Sequence, residues 1–288
     1  MKGIILKVVA GKYYVKIDND VVFCEIRSSV KDKGKVLVGD YVDCQMDKFN
    51  SGNGIICDTF DRRNTLCRPP IANLDKLYIV IAKEPQTDFI LVDKLIVYCI
   101  ANDVLPVLVV GKKDLYTDSE IDYIKKMYKD VVPDIIVVSA KNDINIDSLR
   151  HAMRGKLSAF AGQSAVGKSS LLNRICPGLG LRTNTLSKKV SRGQHTTRNT
   201  EIYVLPDNIM LADTPGFSLL DLDIKPQELC LYYPEFDSYL NKCKYPNCKH
   251  IGELEAECAV KQAVSAGKIN KDRYDRYVYI YNNIKEKK

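Results

Sequence analysis

The chain has 288 residues, 45% hydrophobic and 27% charged, with a net charge of +7. That balance excludes a disordered polymer, and no apolar run reaches the ~18 residues needed to span a bilayer. The length favours two or three domains over one.

The amino terminus alternates apolar and charged residues and lacks the apolar core of a signal peptide, so a cytoplasmic location is expected. Charge is uneven: residues 1–68 carry +3, residues 69–241 carry −1 and residues 242–288 carry +5. Basic flanks suit a phosphate-backbone partner, although an ordinary solvated surface has the same composition. The chain can build its own core and has no export signal, so its ten cysteines read as reduced thiols, and clustered ones as metal ligands. Cys24, Cys44, Cys57, Cys67, Cys99, Cys176 and Cys230 are scattered and read as small core or strand residues.

In chain order, residues 4–9, 13–17, 21–26, 41–45 and 54–59 are short alternating strands separated by turn-rich segments. Five such strands in under 70 residues predict a small closed barrel of the OB-fold kind, which commonly binds oligonucleotides. A structural cap on the next domain is the plainer reading. Arg68-Pro69-Pro70 marks a boundary. Apolar runs at 77–81, 105–110, 135–138 and 157–161 then alternate with helical stretches at 89–102, 119–128 and 168–175. That alternation predicts a mostly parallel sheet covered by helices, with ligands at the carboxyl ends of its strands. Residues 186–200 are polar and aperiodic and read as a mobile loop. Helical patterns resume near 226–233, 258–265 and 271–284.

Gly162-Gln163-Ser164-Ala165-Val166-Gly167-Lys168-Ser169 follows the apolar run 157–161 and opens a helix that continues through Ser170. In that context the pattern is a phosphate loop: its backbone N–H groups face phosphate oxygens at a helix amino terminus. Lys168 is expected to reach the β- and γ-phosphates, and the Ser169 hydroxyl to ligate Mg²⁺. Asp213-Thr214-Pro215-Gly216 follows another apolar run. Asp213 is expected to hold Mg²⁺ through water, and the Gly216 N–H to approach the γ-phosphate.

The base-reading elements precede the phosphate loop instead of following it. Gly111-Lys112-Lys113-Asp114 matches the guanine pattern N/T-K-x-D except at Gly111. Asp114 is suited to accept hydrogen bonds from guanine N1 and N2, and the Lys112 stem to cover the ring. Ser139-Ala140-Lys141 is suited to offer a backbone N–H to guanine O6. This order predicts a circularly permuted GTPase. Permutation leaves the site intact, because all these loops project from one sheet edge.

No glutamine follows Gly216, where Phe217 stands. His195, in the 186–200 stretch, is the candidate to orient the attacking water, with a surface switch contact as its alternative role. Thr197, ahead of Thr196, is the candidate for the second Mg²⁺ hydroxyl.

Cys243, Cys248, His250 and Cys258 give three thiolates and one imidazole within 16 residues. That set predicts one closed, tetrahedral, structural Zn²⁺ site. His151 has no such company and reads as structural.

Together the barrel, the permuted motifs, Gly193-x-His195-Thr196-Thr197, Asp213-Thr214-Pro215-Gly216-Phe217 and the Cys/His set resemble the RsgA family of bacterial GTPases dependent on the small ribosomal subunit. The resemblance covers essentially the whole chain. It implies a late assembly factor of the 30S subunit that binds ribosomal RNA and whose GTP hydrolysis to GDP is stimulated by that subunit. It also implies that His195 carries the family's proposed catalytic histidine and that Phe217 is ordinary there. Gly111 departs from the family pattern, which bears on guanine affinity more than on specificity.

The expected organisation is an OB-fold β-barrel at 1–68 that binds RNA, a circularly permuted α/β P-loop GTPase domain at 69–220 and an α-helical zinc-binding domain at 221–288. A monomer without membrane attachment is expected. A metabolic P-loop kinase or ATPase is disfavoured by Lys112 and Asp114. A non-catalytic RNA-binding module is favoured by Gly111 alone, and a trafficking GTPase has no lipidation signal behind it.

Overall fold

Five amino-terminal strands close into a barrel, and a six-stranded sheet follows. The structure is a computed structural model that describes residues 1–47, 52–176, 200–213 and 222–284, with Lys33 described in its backbone only.

The barrel strands are β1 (Lys2–Val9), β2 (Lys12–Ile17), β3 (Asp20–Ile26), β4 (Tyr41–Met46) and β5 (Asn53–Thr59), in the order β1-β2-β3-β5-β4. β4 pairs back onto β1, and only β3 and β5 run parallel. This is the OB-fold arrangement. Alternation along each strand puts Ile5, Val15, Val22, Cys24, Val42, Cys44 and Ile56 in the barrel core. A short helix absent from the sequence reading, α1 (Ser28–Lys33), adds Val30 to that core.

Arg68-Pro69 is the turn of a small hairpin between β6 (Thr65–Cys67) and β7 (Pro70–Ala72). Side-chain bonds to the backbone tie this junction to both neighbours. The Asn73 amide donates to the Gly39 carbonyl of the barrel at 3.0 Å. The Asn64 amide donates to the Leu74 and Asp103 carbonyls at 2.8 and 2.9 Å. Buried Asp40 accepts two bonds from Arg62, at 2.6 and 2.8 Å.

The sheet comprises β8 (Lys76–Ile81), β9 (Leu105–Val110), β10 (Asp134–Val137), β11 (Leu157–Ala161), β12 (Glu201–Leu205) and β13 (Ile209–Asp213). Its order is β10-β9-β8-β11-β13-β12, parallel except for the edge strand β12. β8 shows why these strands are apolar throughout. Leu77, Ile79 and Ile81 face one core while Tyr78 and Val80 face the other. On the first face lie α2 (Phe89–Ala101) and α3 (Asp118–Tyr128), and on the second α4 (Ile146–Met153) and α5 (Lys168–Ile175). Lys7 of the barrel pairs with Glu201 of β12 at 3.0 Å.

α2 lacks a single apolar stripe because it is covered on two sides. It packs on β8 and β9 and also against the carboxy-terminal unit. That unit contains short 3₁₀ turns, the helix Ala259–Ser265 and the last helix, Lys271–Asn283. Tyr233, Phe236 and Tyr277 meet in its core, with Tyr277 at 5.0 Å from each of the other rings.

A buried charge network joins the unit to α2. Arg273, fully buried, donates to Asp93 at 2.6 Å and to Glu235 at 2.5 Å. Arg276 donates to the other Asp93 oxygen at 2.5 Å, and the Tyr128 hydroxyl donates to Asp93 at 2.8 Å. Burial pushes the Arg273 pKa down, but facing Asp93 and Glu235 raises it well above its ordinary value. Removing one partner of such a network strands the others in a dry interior, at about 3–5 kcal/mol. Arg273→Met is therefore expected to lower the urea midpoint of unfolding markedly. An unchanged midpoint would show that the network contributes nothing to docking.

Candidate functional site

The motif loops lie at one edge of the parallel sheet. Gly111–Asp114 follows β9, Ser139 closely follows β10, Gly162 follows β11, and Asp213 ends β13. A cleft of about 190 Å³ is lined by Gly111, Lys112, Asp114, Ala140, Lys141, Val166, Gly167 and Ser170 among others. Residues far apart in sequence, on both sides of the permutation, thus share one wall.

The phosphate loop has the backbone its glycines require. Gly162 has φ +127°, and a Cβ there would fall 2.3 Å from the Val80 carbonyl oxygen. Gly167, at φ +101°, caps α5. Val166 is buried and anchors the loop in the second core, while Ser164 and Ala165 are exposed. Ser169 lies in the first turn of α5. The Lys168 ammonium folds back on the loop, donating to the Gly162 and Gln163 carbonyls at 2.7 and 2.6 Å. Burial pushes its pKa down to about 8. The Gln163 side chain accepts the Asp88 N–H at 2.8 Å, and Asp88 caps the amino terminus of α2.

On the base side, Lys112 has φ +54° and its ammonium donates to the Glu84 and Ala165 carbonyls at 2.6 and 3.1 Å. This bond to Ala165 ties the base loop to the phosphate loop where Gly111 has no side chain to do so. The Lys113 N–H donates to the Val138 carbonyl at 3.0 Å. The Ser139 hydroxyl donates to Asp114 at 2.5 Å and accepts the Asn142 N–H at 3.2 Å. That hydroxyl first, then Lys141 and Lys112, holds the Asp114 carboxyl below its ordinary pKa. A carboxylate that stays ionised is what a guanine N1/N2 acceptor requires.

Asp213 lies at the end of β13, opposite Glu201 of β12. His195, Thr196, Thr197, Gly216 and Phe217 lie outside the described residues. Sequence reasoning missed Asp88 and Arg174. Asp88 could have been found as an N-cap preceding an apolar helix. Arg174 carries no local signal; its Nε donates to the Ala140 carbonyl at 3.0 Å.

The second cluster lies in the carboxy-terminal unit. The ligand atoms of Cys243, Cys248, His250 and Cys258 all fall within 4.8 Å of one another. His250 Nδ1 is 3.6 Å from the Cys243 sulfur and 3.4 Å from that of Cys258. Ordinary Zn–S and Zn–N bond lengths at a tetrahedral angle give an S···N edge of about 3.6 Å, so the donors fit. Burial lowers the His250 pKa and keeps its imidazole neutral, as ligation needs. The Tyr274 and Tyr277 hydroxyls donate to the His250 and Lys249 carbonyls at 2.7 and 2.9 Å and hold the loop from the last helix.

A parallel sheet with a phosphate loop at one strand end, and base-reading loops that come earlier in the chain, defines a circularly permuted P-loop GTPase. Family models described as RsgA N-terminal domain and RsgA GTPase match residues 2–56 and 59–223. The chain belongs to the RsgA GTPase family. The small ribosomal subunit biogenesis GTPase RsgA of Halalkalibacterium halodurans is 38% identical over 290 residues, covering 99% of this chain and 97% of that protein. The protein of the same name from Geobacillus sp. (strain WCH70) is 39% identical, covering 100% and 98%. Among solved structures, YjeQ from Thermotoga maritima aligns with a TM-score of 0.86 at 32% identity, covering 100% of this chain and 99% of that one. YloQ, a circularly permuted GTPase, aligns at 0.80 and 30%, covering 100% and 96%.

Proposed function

We propose that this GTPase acts in late assembly of the small (30S) ribosomal subunit, binds its ribosomal RNA, and leaves when GTP is hydrolysed to GDP. The observation that carries the reading is the meeting of Asp114, Lys112 and Gly167 at one cleft, together with membership of the family.

The barrel surface supports an RNA partner. Phe23, Val21 and Ile55 are exposed on its outside, and Tyr14 meets Phe23 edge-on at 4.7 Å. Lys7 sits 5.7 Å over the Tyr14 ring. Exposed aromatics among lysines suit unstacked bases and their phosphates. The proposed units are 1–68 for RNA, 69–220 for the nucleotide and 221–288 for one structural Zn²⁺ held by Cys243, Cys248, His250 and Cys258.

Within the nucleotide site, residues 111–114 and 139–141 take the guanine, and residues 162–170 take the phosphates. Ser169 and Thr197 would hold the Mg²⁺ that accompanies GTP, with Asp213 acting through water. The Gly216 N–H would face the γ-phosphate, and His195 would orient the attacking water. Among the described residues no helix is long and apolar enough to cross a membrane. We read the protein as a cytoplasmic monomer.

Turnover measured with and without purified small subunits tests the reading. Stimulation of at least tenfold is expected, in line with a general acid–base contribution of about 10²–10⁴ that needs correct positioning. His195→Ala should abolish the stimulation while GTP affinity stays. Turnover indifferent to the subunit would remove the proposed partner.

A further inference from the structure

Arg174 sits in the last turn of α5, half exposed, beside the loop that joins β10 to α4. Its Nε donates to the Ala140 carbonyl at 3.0 Å, and its guanidinium lies 4.0 Å from Asp143. From the other side, Arg150 of α4 donates to the Ile175 carbonyl at 2.6 Å. The end of the phosphate-binding helix is therefore fastened once to the loop and once to α4, the helix into which the loop leads.

The consequence follows from peptide geometry. A trans peptide unit is planar, and its C=O and N–H point in opposite directions. Holding the Ala140 carbonyl against Arg174 turns the N–H of Lys141, the other half of that unit, away from Arg174. Ala140 and Lys141 both line the cleft with Lys112 and Asp114. Neighbouring donors in the loop are used: the Ser139 N–H goes to the Ile144 carbonyl, and the Asn142 N–H to the Ser139 hydroxyl. Among the described residues the Ala140 and Lys141 N–H groups have no acceptor. Two donors on a cleft wall, held in place and without a protein acceptor, are available to an acceptor atom on a ligand.

We propose that Arg174 is a positioning residue for base recognition: through the Ala140 carbonyl it aims the Lys141 N–H at the oxygen on C6 of guanine. The inference rests on the guanine reading of the cleft. It gives the site a fastening that Gly111, without a side chain, does not offer. A flexible loop would have to be ordered by the nucleotide itself, at the expense of affinity. Arg174 supplies that order in advance, from the helix whose amino terminus holds the phosphates.

The test compares ligands that differ at C6. Dissociation constants of the full chain are measured for GDP, for 2-aminopurine riboside diphosphate, which keeps the 2-amino group but lacks the oxygen and with it the N1 proton, so that only its change between variants is read, and for ADP. Arg174→Met is expected to weaken GDP by about tenfold, the worth of one well-aimed hydrogen bond, and to leave the 2-aminopurine nucleotide within about twofold. Arg174→Lys, which keeps a donor, should restore most of the GDP affinity. Equal weakening of both ligands would mean a merely structural role and overturn the proposal, as would undiminished GDP binding in Arg174→Met. If the unaltered protein showed no preference for GDP over ADP, the guanine reading itself would fall, and the positioning role with it.

Discussion

Cys258→Ser is expected to strip the metal from the protein and loosen the carboxy-terminal unit while leaving GDP affinity unchanged. Cys258 is fully buried, and its sulfur lies 3.4 Å from His250 Nδ1. Serine removes one of four donors and leaves a closed site that cannot complete a tetrahedron. In small zinc domains metal binding contributes on the order of 10 kcal/mol to folding. Here the loss should be smaller, because Tyr233, Phe236 and Tyr277 form a core of their own and Arg273 docks the unit on Asp93. Elemental analysis should find one zinc per chain before the substitution and none after it, with rapid proteolysis beyond residue 221 in the variant. Burial raises the Cys248 and Cys258 pKa values in the metal-free cluster, so these thiols must give up protons to bind metal. Metal affinity should therefore fall as pH falls. Full zinc content in Cys258→Ser would contradict the ligand set.

Lys168→Ala is expected to abolish nucleotide binding, weakening GTP by a factor of about a thousand or more, while the fold persists. The size follows from the pairing of a partly buried ammonium with two phosphates, as charged hydrogen bonds are worth about 1.5–3 kcal/mol each. The fold should survive, because among the described residues Lys168 bonds only to loop carbonyls, which water can take over. The same lysine sets a pH signature. Its pKa in the free protein is about 8, and a bound phosphate raises it. Below pH 8 the free protein already carries the charge and affinity is level. Above pH 8 binding must first protonate the lysine, so affinity should fall as pH rises. Normal GTP hydrolysis by Lys168→Ala would refute the assignment of the phosphate loop.

The parts legible in the sequence were those where one local rule governs. β9, β11 and α5 have the bounds their patterns predict, because buried parallel strands are continuous apolar runs and a phosphate loop must open a helix. Four of the five barrel strands agree to within one residue at each end and β1 starts two residues early, at Lys2, since period-two alternation and flanking turns mark them. Short elements held by distant contacts escaped. α1 buries chiefly Val30 and has no side-chain cap, so nothing local announces it. β12 is five residues long and owes its place to β13. The docking charges were the least legible. Arg273 and Arg276 look like surface residues of a polar helix, and only Asp93, a lone acid in the apolar run of α2, hints at a partner 180 residues away. At the nucleotide site each described motif residue reaches the expected sheet edge. Arg174 did not show, because its bond to Ala140 joins segments that only the fold brings together.

The most direct measurement is a crystal structure of the protein with GDP and Mg²⁺. The account predicts guanine N1 and N2 within hydrogen-bond distance of the Asp114 carboxylate and the β-phosphate on the Lys168 ammonium of the same molecule. A nucleotide whose base lies outside the cleft between residues 111–114 and 139–141, or whose phosphates avoid residues 162–169, would contradict it.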